Sequence, residues 1–405
     1  MTGGLMKTTV SRLALAAIAS VVATGAMAAD LGGNCCADLE ERVSELEATT
    51  ARKGNRKMSL TVSGHVNKHM VWHDSNATDA RRPDTFSIQD NDSAGQSRFR
   101  FVGSAKIDAD RTVGYVLEIG ISENAGVAFS SDGTLNRVRQ NHVYIQSATL
   151  GKLSLGQQSQ ATDGIMDITL ANIRQMNQGG TVDSSRLLGG NTAAVFPATQ
   201  GNRVQAIRYD TPVFAGFTLS ASWGHFTAQT EAVDQEHDTW DVALRYAGEF
   251  NGIRLAAGVG YREQENIGGA IAATTDKVWL GSGSIMHVPT GLFVSGGVGS
   301  RDRDRNNAGD DFVHWHGQLG IERNWFGIGN TTFFGEYGAS DFDVEDGPAG
   351  NINNGTFWGI GFVQAISAAA SDVYVGYRNY EADNLNGVGR GDDIGVFQAG
   401  MIVRF

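Results

Sequence analysis

From Lys57 to the last residue the chain alternates apolar and polar residues with a period of two, and this pattern excludes most folds. In "KMSLTVSGHVNKHMVW" the residues Met58, Leu60, Val62, Val66, Met70 and Trp72 share one face of an extended strand, while Ser59, Thr61, Ser63, His65, Asn67 and His69 share the other. The alternation returns in "SRFRFVGSAKID", "RTVGYVLEIGIS", "WDVALRYA", "GIRLAAGVGYRE", "FVHWHGQLGIE", "DVYVGYRNY" and the terminal "DIGVFQAGMIVRF". Each strand needs apolar surroundings on one side and water on the other.

The connections decide what those surroundings are. Short ones fall at 108–111, 149–152, 210–216, 248–252, 288–291, 323–327 and 366–371. Long polar ones centre on 75–96, 123–138, 159–202, 227–238, 264–275, 301–311, 340–354 and 382–392. Tight turns at one end and long loops at the other are the layout of an all-β transmembrane antiparallel β-barrel, whose strands of about ten residues cross the bilayer at a tilt. The count comes to about sixteen strands, over residues 57–405. A soluble β-sandwich needs neither uniform strands nor this alternation of connection lengths. Proline agrees: Pro83, Pro197, Pro212, Pro289 and Pro348 all fall in turns or loops, where no ladder hydrogen bond is lost.

Before the barrel lie two other segments. Lys7 and Arg12 precede the apolar stretch "LALAAIASVVATGAMA", and Ala26 and Ala28 form a small-x-small cleavage site, so residues 1–28 read as a signal peptide. Residues 29–56 read as a periplasmic segment with a short helix at 35–53, where Leu39, Val43 and Leu46 make one apolar stripe suited to helix assembly. No later run approaches the roughly 18 consecutive apolar residues of a transmembrane helix. The adjacent Cys35 and Cys36 rule out a disulfide framework. A net charge of −12 disfavours nucleic acid as a partner.

Several segments carry a family resemblance: "CCADLEERVSELEATTARKGNRKMSLTVSGHVNK" (35–68), "LGKLSLGQQSQATDG" (150–164), "RYDTPVFAGFTLSASWG" (208–224), "GFVQAISAAASDVYVGYRNYE" (361–381) and the terminal Phe405. The chain resembles the alphaproteobacterial outer-membrane porins, over essentially its whole mature length. That resemblance implies a homotrimer of sixteen-stranded barrels, passive diffusion of small hydrophilic solutes, and a third long loop folded inward as a constriction. The 159–202 segment follows the fifth strand, the position such porins use. Phe405 resembles the terminal aromatic that the barrel-assembly machinery recognises. Outer-membrane lipids and lipopolysaccharide are the implied surroundings. The mature start at Ala29 and Asp30 resembles barrel N-termini that become linked to peptidoglycan, so a structural tether is the alternative role.

A water-filled pore selects by radius and by the field across its narrowest section. The long third loop supplies Asp163, Asp167 and Asp183, and "DGIMDITLANIRQM" is expected to form a short helix in the lumen. The strands supply the other sign, with Arg98, Arg100 and Arg208 on wet faces and Arg139 near a strand start. Other chemistry fails on spacing. His314 and His316 lack a third metal ligand. "DFDVEDG" has Asp346 where a calcium loop needs Gly. No nucleophile elbow or phosphate loop occurs. No catalytic residue, metal or cofactor is expected, and the chain reads as a channel and not an enzyme.

Overall fold

The computed structural model describes residues 57–75, 85–91, 95–121, 136–174, 201–230, 233–267, 274–304, 311–343, 354–382 and 393–405. The signal segment, the 35–53 helix with Leu39, Val43 and Leu46, residue Asp183, and Pro83, Pro197 and Pro348 lie outside them. The described chain is strand almost throughout: β1 (Ser59–Ser75), β2 (Thr85–Asp90), β3 (Arg98–Lys106), β4 (Arg111–Ile121), β5 (Asn136–Ser147), β6 (Gly151–Ser159), β7 (Arg203–Asp210), β8 (Phe217–Thr230), β9 (Val233–Phe250), β10 (Ile253–Ile267), β11 (Thr274–His287), β12 (Leu292–Asp304), β13 (Asp311–Arg323), β14 (Thr331–Asp343), β15 (Asn354–Ile366), β16 (Ser371–Ala382) and β17 (Asp393–Arg404).

These segments build sixteen staves. Both β2 and β3 pair antiparallel with β1, at Lys68↔Asp90 and His65↔Arg98, so they form one stave interrupted at 91–97. The rest pair in chain order, and β17 pairs with β1 from His65↔Arg404 to Ser75↔Ile394, which closes the barrel. Closure matters because an open edge would leave backbone groups unpaired in hydrocarbon. At the seam Gly64 and Phe405 exchange backbone hydrogen bonds of 3.0 and 3.1 Å. A Cβ at residue 64 would lie 2.4 Å from the Arg98 carbonyl oxygen and 2.6 Å from the tip of the Phe405 ring, so the facing backbone requires a glycine here and the terminal aromatic packs in the space it leaves.

All seven short connections fall where the sequence puts them. Asn251 and Gly252 alone join β9 to β10, with φ of 50° and 77°, the left-handed pair that a two-residue hairpin turn requires. At the other end two expected loops are shorter. The 227–238 region continues as strand and leaves only 231–232 between β8 and β9, and β2 occupies part of 75–96.

The barrel is inverted relative to a soluble protein. Leu60, Val62, Val66, Met70 and Trp72 are exposed on the outer wall, whereas Asn67, His69 and His73 are buried inside it. Two belts of aromatics ring the outside. Trp240, Tyr261 and Trp279 stack across β9–β11 near the long-loop end, with Trp315–Tyr337 and Trp358–Tyr377 continuing the belt. Phe217–Tyr246 and Trp325–Phe333–Phe362 lie near the short turns. Paired belts flanking an apolar band mark the two interfaces of a membrane.

Candidate functional site: the narrowed lumen

Residues 160–174 leave β6 at its long-loop end and run down the inside of the barrel. They form successive turns and not the helix expected for 163–176, because their backbone groups bond to the wall. The Ala161 and Thr162 N–H groups and the Thr162 hydroxyl donate to the Asp241 carboxylate at 3.1, 2.6 and 2.7 Å. Arg245 Nη2 donates to the carbonyl oxygens of Ala161 and Asp163 at 2.6 and 2.8 Å. Further along, Ser282 donates to the Ile165 carbonyl, Leu170 N–H donates to Ser284 Oγ at 3.1 Å, and Asn172 N–H donates to Glu322 Oε2 at 2.6 Å. Buried polar groups must be paired, and here the barrel supplies the partners a helix would have supplied internally.

Apolar contacts seat the same segment. Ala161, Ile165 and Met166 pack on Ala243, Val278 and Leu280. Lower down, Leu170, Ala171 and Ile173 pack on Met286, Phe293, Phe334, Val363 and Tyr374. Inward-facing apolar side chains are out of place in a wet lumen, and this cover explains them. The contacts run from β8 and β9 to β16, about half the circumference.

The staves across the lumen carry the opposite arrangement. Glu118 on β4 has a fully buried carboxylate that receives three guanidinium groups: Arg98 Nη1 at 3.1 Å, Arg100 Nε at 2.6 Å together with its Nη2, and Arg139 Nε at 2.7 Å. Arg98 and Arg100 project from β3, where Arg100 lies directly opposite Glu118. Arg139 arrives differently. Strict alternation on β5 would put it outside with Val143 and Ile145, but a register shift at Glu118/Ile119 opposes Glu118 to Gln140 and Ile119 to Val138. Arg139 is the extra residue of this β-bulge, and the bulge turns it inward. From the interrupted stave, Gln96 Oε1 accepts from Arg139 Nη1 at 2.5 Å, and its carbonyl oxygen lies 2.9 Å from His65 Nε2. Asn67 Nδ2 to Gly95 O and Ser97 Oγ to Asp90 hold that stretch in place, at 3.0 and 2.8 Å.

The expected residues thus divide. Arg98, Arg100 and Arg139 come together on one wall. Arg208 faces the lumen but bonds Asp210 at 2.7 Å and the carbonyls of Ser159 and Gln160 at 3.0 Å, so it anchors the root of the inward segment and stays outside the Glu118 group. Asp163 and Asp167 are half-buried on the inward segment, and the Asp163 carboxylate has no ion-pair partner among the described residues. Glu118, Gln96, Asp241 and Arg245 escaped the sequence reading. Glu118 had a signal, since it sits on a wet face one strand from two arginines; Gln96 had none. His314 and His316 stack at 5.6 Å, and no group of three or more metal-ligating side chains occurs among the described residues.

A closed barrel with an apolar, aromatic-belted exterior and a lumen narrowed by an inward segment is an outer-membrane channel for passive diffusion. The sequence model of the Gram-negative porin family matches residues 14–385, and the chain belongs to that family. It is therefore a multi-pass barrel of the Gram-negative outer membrane. No curated protein sequence matches it. Solved structures share the fold at low identity. An anion-selective porin from Comamonas acidovorans is 18% identical with a TM-score of 0.62, over 86% of this chain and 100% of that one. Salmonella typhi OmpF, solved with daunomycin, is 11% identical with a TM-score of 0.59, over 86% and 98%. OmpT of Vibrio cholerae in its trimer form is 13% identical with a TM-score of 0.56, over 86% and 99%.

Proposed function

We propose that the channel passes small hydrophilic solutes and ions through an eyelet between residues 160–174 and the arginine group on β3–β5. The observation that carries this reading is the placement of the two sides. The inward segment lies along staves β8 to β16, and Arg98, Arg100 and Arg139 occupy the facing staves. Asp163 and Asp167 set against these arginines give a transverse field, which orients water and solute dipoles while leaving only a weak net charge preference. The work is done by radius and field, with no covalent step and no catalytic residue. Liposome swelling with sugars of increasing size tests the reading. Uptake rates that fall with solute size support it, and uptake equal to protein-free liposomes contradicts it.

The assembly we propose is a homotrimer. The similar OmpT structure is described as a trimer, and the outer wall of this chain carries an ion pair that hydrocarbon alone does not favour. Lys68 lies between the outward Val66 and Met70 and meets Asp90 at 3.0 Å. Phe405, with its ring beside Gly64, is the proposed contact for the barrel-assembly machinery. Lipopolysaccharide and outer-membrane lipids would surround the trimer. Anchoring to peptidoglycan through Ala29, with the 35–53 helix as spacer, is a second role compatible with transport and rests on the "AD" start alone.

A further inference from the structure

His314 and His316 are two residues apart on β13, so both imidazoles project from the inner face, where their rings stack with centroids 5.6 Å apart. Both are withdrawn from water. The His314 ring donates to the Ala339 carbonyl oxygen, the kind of bond that fixes the orientation of a ligating imidazole. His316 Nδ1 is buried and finds no hydrogen-bond partner among the described residues, and a buried polar atom seldom goes unpaired without a reason.

The space beside the pair is filled on one side and open on the other. On β14 the Phe357 ring covers Gly338, the residue opposite His316. On β12 the residues opposite His314 and His316 are Gly299 and Gly297. A Cβ at residue 297 would lie 3.1 Å from His316 Cε1, the atom between the two ring nitrogens, and 3.1 Å from the terminal methyl of Met166 on the inward segment. The nitrogen-bearing edge of an imidazole and the thioether end of Met166 thus border one gap. Arg378, whose charge acts on His316, is held by the Glu336 carboxylate at 2.7 Å and donates to the Tyr380 hydroxyl at 3.1 Å, so that charge is balanced.

We propose that His314, His316 and Met166 form a binding site for a monovalent copper ion between β13 and the inward segment. Two imidazoles alone do not select a metal, but a thioether beside them favours the soft cuprous ion over zinc, which takes thiolate or carboxylate as its further ligand. Met166 supplies the third ligand that histidine, cysteine and carboxylate side chains do not supply among the described residues. Chelation needs the stacked rings to swing toward each other over β12, and the two glycines leave that side free of Cβ atoms. An ion held there ties the inward segment to the wall.

The site is independent of the diffusion reading, because binding is measured on the detergent-solubilised barrel whether or not it conducts. The probe is silver nitrate, which matches the cuprous ion in charge and softness without its redox chemistry. It is titrated calorimetrically into the full chain in chloride-free buffer, with Cys35 and Cys36 alkylated and zinc nitrate as the comparison. The unaltered protein should bind one more equivalent of silver than the double variant His314→Gln with His316→Gln, and should bind zinc there more weakly. Met166→Leu, which keeps the apolar volume, should weaken that equivalent about tenfold or more, since even loss of a group behind a ligand costs about that much. Heat-resistant migration in gels reports the folding of each variant, and if the double histidine variant does not fold, Met166→Leu carries the comparison. No additional equivalent in the unaltered protein, silver binding that Met166→Leu leaves unchanged, or zinc bound as tightly as silver each overturns the proposal.

Discussion

Asp241 and Arg245, on the same inward face of β9, grip one turn of the inward segment by opposite poles. The carboxylate takes the N–H groups of Ala161 and Thr162, and the guanidinium takes the carbonyls of Ala161 and Asp163. Removing either leaves buried backbone groups unpaired, at about 1–3 kcal/mol for each such group. Asp241→Ala and Arg245→Ala should therefore still yield heat-resistant barrels but conduct with larger and noisier single-channel steps. Steps and noise matching the unaltered protein in both variants would show that the clamp does not hold the eyelet.

The face assignment is tested on two neighbours in β10. Val259 is more than half exposed on the outer wall, and Val259→Arg should cost roughly 2 to 4 kcal/mol if it lies near the bilayer midplane. Gly258 faces inward, where an added Cβ would come 2.7 Å from the ends of Ile165 and Ile168. On a lumen face open to water, Gly258→Ser would be neutral. With the inward segment directly over it, the serine should leave barrel stability almost unchanged yet alter conductance by pushing that segment. Urea midpoints and conductance of the two variants separate these effects; equal stability would refute the assignment.

Much of this was legible and some was not, for identifiable reasons. Alternation gave the two faces, and the contrast between short and long connections gave the two ends. The inward route of 160–174 was legible only through its place after the fifth strand. Its lack of helix was not, because the competing hydrogen-bond partners, Asp241, Arg245 and Ser284, are far away in the chain. Arg139 lies on the wrong parity for the lumen, so only the bulge explains its direction. The break between β2 and β3 follows from tertiary bonds of Asn67 and Ser97 that no local pattern announces.

Selectivity should follow the two sides of the eyelet. Arg98→Ser with Arg100→Ser should move the reversal potential toward cations, and Asp163→Asn with Asp167→Asn toward anions. The arginine variant is not as innocuous as wet-face residues suggest, since it leaves Glu118 with Arg139 as its remaining basic partner here, and some loss of stability is expected. Shifts in the same direction in both double variants, or no shift in either, would remove these residues from the eyelet.

The turn between β3 and β4 supplies a pH test outside the membrane-spanning strands. The Ser147 hydroxyl donates to Asp110 at 2.6 Å, and with help from Thr149 and the Ala148 N–H it holds the Asp110 carboxyl below the usual carboxylate range. A lowered folded-state value stabilises the turn fully above the unfolded value and loses that contribution as pH falls through the folded one. Ser147→Ala should move the Asp110 titration, followed by NMR, upward toward the value of a free aspartate. An unmoved titration would mean the hydroxyl is not the main cause.

The most direct measurement of the central claim is single-channel recording of the refolded full chain in planar bilayers at high salt. Discrete, ohmic conductance steps are expected, growing in proportion to salt concentration, with step size enlarged when residues 163–174 are replaced by a short Gly-Ser linker that no longer crosses the lumen. Folded, heat-resistant barrels that give no steps would contradict the channel; steps of unchanged size after the replacement would contradict the eyelet.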